Sequence, residues 1–416
     1  MLRRLFFNIY DTVSGSRIQK YYQEISRRNS LMTTYSPEEV EAYLTRWGFN
    51  PVLEKNPAMH KADIIEWCQK LHSYDKAHTF SFTGGSMGSP LKIPISKERF
   101  MFKGASVRYY MELTGYTIGE PYALVKAKPR MALLSKLRNE TIILPRDISD
   151  GNLQKIYETF RDNGVRYCFG FTSFYHTLSV YMLKNQLKLP EIKTIVCSSE
   201  ALHPHQLTDI RNAFGCKVLS RYSNEEVGII AHQRETAGPY LVDKAGVIVE
   251  VLDPETLEPK QPGEEGTIFI TDLHADLFPL IRYNTGDRAV VGEYRDGQLY
   301  SMSKIIGREA ELIYNAGGNP ISSLSIGPGI YKPLANKGLN LIFQFSQTDT
   351  KNYELRIKKL KHATLPDETR DEIIANLKEI LGSDAIIQVK FTEELTKRKS
   401  GKVPIYLNEL PVNSQK

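Results

Sequence analysis

Cysteine is scarce in this chain. Only Cys68, Cys168, Cys197 and Cys216 occur in 416 residues, and no two stand at CxxC spacing. A disulfide framework and a thiolate zinc site are therefore unsupported, and a reduced, cytoplasmic compartment fits the composition. Long apolar runs are missing as well. Nothing approaches the roughly 20 apolar residues that cross a bilayer, and the N-terminal MLRRLFFNIYDTV lacks the apolar core of a secretory signal. Charge of one sign is not concentrated. A net charge of +6 with no basic tract interleaved with aromatics argues against a nucleic-acid partner. No GxxxxGK[ST] follows a strand pattern, which disfavours a P-loop kinase or ATPase.

What is present is an ordinary globular balance, 41% hydrophobic and 25% charged. The length suggests about two to four domains or subdomains. Residues 1–75 read as helical. Leu2, Leu5, Phe6, Ile9 and Val13 share a helical face. That face packs on its own protein or rests on a membrane surface with Arg3 and Arg4 toward lipid phosphates. Ser36-Pro37-Glu38-Glu39 has the N-cap serine, first-turn proline and third-position glutamate of a helix start. From 76 to 239 the chain alternates apolar runs (TIILP, YCFGF, TIVCSS, KVLSRY) with helical patterns at 151–163, 172–187 and 203–214. Strand–helix–strand alternation predicts an α/β layer with parallel sheet. Residues 240–306 read as a β-rich subdomain, and 307–416 as a small α+β domain.

Five stretches place glycine or charge where a fold alone does not need it. FSFTGGSMGSPLKIPI (80–95) clusters glycine and hydroxyl residues, as a plain turn or as a close approach to phosphate. RYSNEEVGIIA (221–231) follows a strand, and its Glu226 suits a Mg²⁺ that bridges phosphate oxygens, whereas Glu225 suits a solvated loop. RYNTGDRAVV (282–291) puts Asp287 in a turn between strands, as turn chemistry or as an acceptor for a ribose diol. IGREAELIYNAGGNPIS (306–322) sets Arg308 at a domain boundary. In TKRKSGKVP (396–404), Lys402 lies between a glycine and an apolar pair.

The order and spacing of these stretches resemble the adenylate-forming (AMP-binding) superfamily of acyl-CoA synthetases, peptide-synthetase adenylation domains and luciferases. FGFTSFYHTL (169–178), CSSEALHPHQL (197–207) and PGEEGTIFITDL (262–273) resemble its phenylacetate–CoA ligase-like and capsular polysaccharide biosynthesis branch. The resemblance covers roughly residues 75–410. It implies a large N-terminal adenylation domain of layered α/β sheets with a β-rich subdomain (1–306), and a small mobile α+β lid domain (307–416). Thr83, Gly84, Gly85, Ser86 and Gly88 match the loop that handles ATP's phosphates and pyrophosphate. Glu226 matches the Mg²⁺-linked glutamate, and Tyr222 the aromatic residue before it near the nucleotide. Ser199, Glu200 and Ala201 fall where the family builds part of its adenine pocket. Asp287 matches the ribose-binding aspartate and Arg308 the ribose-contacting, nucleotide-binding arginine at the hinge, where Glu311 also stands. Lys402 matches the lysine that bridges carboxylate and α-phosphate. Phe171, Tyr175 and Ser198 border the expected acyl pocket, although the aromatic pair reads equally as core. The chain departs from the family pattern at Gly84, Met87, Leu91, Ser223 and Ala310.

The resemblance implies ATP and Mg²⁺, with CoA as a co-substrate in one branch. Its partners are a small carboxylic acid and an acyl acceptor, with a homodimer and a peripheral membrane contact through the N-terminal helix also open. Three functions follow. One is an adenylate-forming acid–thiol ligase. Another is an amide ligase acting on an amino acid or sugar amine in surface-polysaccharide assembly. The last is a non-catalytic nucleotide-binding relative.

Overall fold

The computed structural model describes residues 17–31, 35–82, 92–126, 132–145, 150–308, 313–318, 320–321, 323–337, 339, 341–359, 364–397 and 403–410. The N-terminal helix expected over the first residues, Thr83 to Gly88 of the glycine loop, Glu311 and Lys402 lie outside them. Among the described residues no helix is long and apolar enough to cross a membrane. All four cysteines are free thiols, and three of them are buried. The fold is mixed α/β with large multi-strand sheets, divided into two compact units that each draw on separate stretches of chain.

The first unit comprises residues 1–121, 133–139 and 219–305. Its helices are α1 (Arg17–Leu31), α2 (Pro37–Arg46), α3 (Lys61–Lys70) and α4 (Lys97–Glu112). The capping box before α2 forms as its sequence predicts: the Glu39 amide donates to Ser36 Oγ at 3.3 Å, and the Ser36 amide donates to Glu39 Oε2 at 2.8 Å. Strands β1 (Thr79–Phe82) and β2 (Lys92–Ile95) pair antiparallel on either side of the glycine loop.

The rest of this unit is an antiparallel sheet that carries the β-rich part of the chain. Its strands β7 (Lys217–Asn224), β8 (Gly228–Gln233), β9 (Tyr240–Val242), β10 (Ile248–Leu252), β11 (Glu265–Thr271), β12 (Tyr283–Arg295) and β13 (Gln298–Arg308) run in the spatial order β10-β11-β12-β13-β9-β8-β7. Alternate strand residues, among them Val249, Val251, Ile268 and Ile270, bury against α3 at Ile64 and Cys68.

The second unit comprises residues 122–132, 140–218 and 306–416. Strands β3 (Tyr122–Val125), β4 (Glu140–Ile143), β5 (Tyr167–Phe171) and β6 (Thr194–Ser198) pair in parallel in the order β6-β5-β3-β4. Helices α6 (Asp150–Asp162), α7 (Thr172–Lys184) and α8 (Pro204–Phe214) cover them; α5 (Ala132–Arg138) precedes β4. The uninterrupted burial of β5 and β6 is what a sheet covered by helices requires. Gly170 explains itself by geometry: a Cβ there would stand 2.6 Å from Val125 Cβ on β3.

The C-terminal stretch of this unit is a small α+β layer. Strands β16 (Phe343–Gln347), β17 (Asn352–Lys358), β18 (Ile386–Thr392) and β19 (Tyr406–Asn408) stand in the order β18-β17-β16-β19. Helices α9 (Ser323–Asn336) and α10 (Asp367–Leu381) pack on them through Ile326, Ile330, Ile373 and Leu377. A short pair, β14 (Ile313–Tyr314) and β15 (Pro320–Ile321), spans the Gly317-Gly318 turn.

Candidate active site

Within the first unit, three sequence-predicted residues come together at the ends and bends of strands. Tyr222 stands near the end of β7, and its hydroxyl donates to Asp287 Oδ2 at 2.7 Å. Asp287 does not sit between strands, as its Thr-Gly-Asp context suggests. It lies inside β12, at a register shift against β11 where Thr267 faces Arg288 and Phe269 faces Asn284. The extra residues bulge out of the ladder, and a bulge re-aims the side chains it carries. Local polar groups hold it: the Asp287 amide donates to Thr285 Oγ1 at 3.1 Å, and Thr285 Oγ1 donates to the Ile268 carbonyl at 2.8 Å. Gly286 takes φ +69° at the apex, a conformation glycine adopts without steric cost.

Glu226 lies in the turn between β7 and β8. Its Oε1 accepts from the Tyr283 hydroxyl at 3.0 Å, which links it to the first residue of β12. Glu226 is 9% exposed and Asp287 8%, so both carboxylates sit at the surface of a packed site and not on solvated arms. Glu225, next to it, accepts from Ser81 Oγ. Ser81 is the penultimate residue of β1, whose end leads into the glycine loop. The turn is tied by an Asx contact, with the Val227 amide donating to Asn224 Oδ1 at 2.9 Å.

Among the described residues no group of three or more His, Cys, Asp or Glu side chains is arranged to hold a metal alone. Mg²⁺ keeps several waters and is usually bound by one or two carboxylates plus substrate phosphates. Glu226 is a carboxylate of the type such a site would use, in the turn that follows β7.

Three further residues support this arrangement and carry no local sequence signal. Arg99 and Lys103 project from α4, and buried Asp272 follows β11 and pairs with Arg99. Burial pushes the Asp272 carboxyl above its usual range, opposed by the Arg99 charge.

The second unit holds the other predicted positions. Ser199, Glu200 and Ala201 follow β6, with Ser199 at φ +69°. The Glu200 carboxylate caps α7: the Ser173 amide donates to its Oε2 at 2.7 Å and Ser173 Oγ to its Oε1 at 3.1 Å. An acidic group at a helix N-terminus satisfies an orphan N–H and meets the positive end of the helix dipole. We expect Glu200→Ala to lower stability by about 1 kcal/mol, or roughly 2 °C in Tm. Thermal unfolding of the two proteins checks this.

Tyr175 is fully buried and donates to the Phe169 carbonyl at 3.0 Å, in the apolar cluster that joins α6, α7 and α8 to the parallel strands. Of the two readings open for it, the structure places it in the core. Ser198 Oγ reaches the Gly170 carbonyl at 3.4 Å across β5 and β6. Phe171 belongs to the same cluster and also lines a small cleft with Ser173, Phe174, Thr177, Phe343 and Lys397. Arg308 ends β13, with its backbone in the strand.

The comparisons with known proteins divide sharply. No family model matches the chain, and no curated protein matches it by sequence. Many solved structures match its fold. A 2-hydroxyisobutyryl-CoA ligase in its postadenylation state, in complex with R3-HIB-AMP, aligns at TM-score 0.66 and 16% identity, over 94% of this chain and 88% of the ligase. An anthranilate CoA ligase, AuaEII, in complex with anthranoyl-AMP, aligns at TM-score 0.55 and 14% identity, over 78% of this chain and 65% of that one. ATP-bound MatB from Rhodopseudomonas palustris aligns at TM-score 0.53 and 18% identity, over 78% and 66%. The chain therefore has the fold of the adenylate-forming CoA ligases.

Proposed function

We propose that the protein is an ATP-dependent carboxylate-activating ligase. It forms an acyl-AMP with release of pyrophosphate, then transfers the acyl group to a thiol such as CoA. The observation that carries this reading is the convergence of Tyr222, Glu226 and Asp287 beside the strand that enters the glycine loop. The motifs and the shared fold support it.

The chemistry explains the residue types. A carboxylate resists nucleophilic attack because oxide would have to leave. When its oxygen attacks the α-phosphorus of ATP, the bond to the β-phosphate oxygen breaks and pyrophosphate departs with the electron pair. A thiolate then attacks the acyl carbon, and AMP leaves with the electrons of the carbon–oxygen bond. The first step gathers several negative charges, so its catalysis is largely electrostatic. Mg²⁺ bound near Glu226 would neutralise phosphate charge. Asp287, fixed by the Tyr222 hydroxyl, accepts hydrogen bonds from the ribose diol. The glycine loop offers amides to the β- and γ-phosphates. Lys402 meets the α-phosphate and the carboxylate. Arg308 and Glu311 mark the hinge at which the C-terminal lid moves between the two steps.

The stretches at 169–178, 197–207 and 262–273 support the phenylacetate–CoA ligase-like branch. The test is pyrophosphate release from ATP and Mg²⁺ with a panel of aryl, short aliphatic, amino and uronic acids. Release that requires one acid class is the expected result, and CoA then consumes the acyl-AMP. Acyl transfer to an amine without CoA would replace the thiol by the amide reading. ATP binding without release for any acid would favour the non-catalytic one.

A further inference from the structure

The turn that carries Glu226 is held from behind in an unusual way. Lys103 Nζ donates to the Glu225 carbonyl at 2.9 Å and to the Glu226 carbonyl at 3.3 Å. Arg99, one helical turn earlier on α4, donates from Nη2 to the Val227 carbonyl at 2.8 Å. Two cationic side chains of one helix thus hold three successive carbonyls of the β7–β8 turn. Arg99 is itself fixed by the buried Asp272. The Lys103 stem lies over Gly228, where a Cβ would meet its Cε at 3.5 Å. Gly228 takes φ +100° and lets β8 leave the turn beneath that stem.

Glu226 and Val227 are buried, so their carbonyls need partners from the protein. The partners are Lys and Arg, whose immobilisation each sacrifices up to about 2 kcal/mol of rotamer entropy. What the clamp adds is rigidity. With the carbonyls held toward α4, the Glu225 and Glu226 side chains point to Ser81 and Tyr283 respectively.

We propose that Lys103, acting with Arg99, is a positioning residue that holds the Glu226 carboxylate in the orientation needed to meet Mg²⁺–ATP. Its effect passes through the turn backbone and not through contact with the nucleotide. The proposal rests on the reading of Glu226 as the Mg²⁺-linked carboxylate. It assigns Lys103 an effect opposite in sign to that of a bare charge. A neighbouring cation alone repels Mg²⁺, so its removal would tighten metal binding. Loss of a positioning contact weakens it.

The experiment measures ATP binding to the full-length protein by calorimetry across a Mg²⁺ titration, without a carboxylic acid. Lys103→Met keeps the stem over Gly228 and removes both hydrogen bonds. It should raise the Mg²⁺ needed for half-maximal enhancement of ATP binding by about tenfold, as expected for loss of a charge-assisted hydrogen bond. Binding without Mg²⁺ should stay unchanged. Lys103→Arg, which can still reach the carbonyls, should restore the dependence to within about threefold of wild type. Melting temperatures are measured first, and Lys103→Gln, which keeps one donor, replaces the methionine variant if that one does not fold. An unchanged or tighter Mg²⁺ dependence in Lys103→Met overturns the proposal. Glu226→Gln is the reference. If it loses the Mg²⁺ enhancement while Lys103→Met does not, the positioning role alone fails. If it keeps the enhancement, the reading of Glu226 fails and takes the proposal with it.

Discussion

Lys402→Ala should lower the rate of acyl-AMP formation by about 10²–10³-fold while leaving ATP binding within a few-fold of wild type. The expected size is that of removing one preorganised electrostatic donor from a charge-building transition state. The asymmetry between rate and binding follows from the step at which the charge is needed. Negative charge accumulates between the attacking carboxylate and the α-phosphorus only as the new bond forms, so a lysine aimed there contributes to the transition state more than to the ground state. Preformed acyl-AMP carries no pyrophosphate to expel. The variant supplied with it should still transfer the acyl group to CoA at a rate close to wild type. Rapid-quench measurement of the two half-reactions separates these outcomes. Equal loss in both would mean that Lys402 acts on something other than the first step.

The second large effect is on stability. Arg99 and Asp272 are 6% and 1% exposed, and they form an ion pair in the interior of the first unit. Arg99→Met leaves the Asp272 carboxylate buried without its cation, which should cost about 3–5 kcal/mol. The double variant Arg99→Met with Asp272→Leu removes both charges and should recover much of that loss, because a buried pair is often no better than apolar side chains of similar volume. The pH dependence has a definite sign. Burial already raises the Asp272 pKa in the native protein, and loss of Arg99 raises it further. The penalty of the single variant is therefore full at neutral pH. It shrinks as pH falls through the folded-state pKa and the native protein takes up a proton that the unfolded chain binds less readily. Urea unfolding at two pH values tests this. A penalty that grows on acidification would contradict it.

Much of the element pattern was legible in the chain because it is local. The Ser36 capping box forms as its residues require. The run YCFGF and the first five residues of TIVCSS become fully buried parallel strands, because apolar residues fill their centres. The small α+β domain expected at 307–416 includes α10, with Thr369, Ile373, Leu377 and Leu381 on one buried face at helical spacing. The bulge at Asp287 was not legible as such. Asn284, Thr285 and Gly286 carry turn chemistry, and only the pairing with β11 shows that the strand continues through it.

The site was legible in its carboxylates and glycines, but its supports were not. Lys103 stands 122 residues from the Glu225 carbonyl it holds, and a lysine among the charged residues of α4 has no pattern that marks it. Glu200 shows the converse. By resemblance its position belongs to an adenine pocket, yet its carboxylate caps a helix that begins 28 residues earlier at Thr172. Long-range partners of this kind depend on topology, which local spacing does not encode.

Isotope exchange between labelled pyrophosphate and ATP, with Mg²⁺ and a carboxylic acid present and CoA omitted, tests the proposed reversible adenylation. Label should enter ATP only when a substrate acid is present, and exchange should be lost in Lys402→Ala and Glu226→Gln. Exchange without any acid, or acid-dependent ATP cleavage that yields ADP and phosphate, would contradict it.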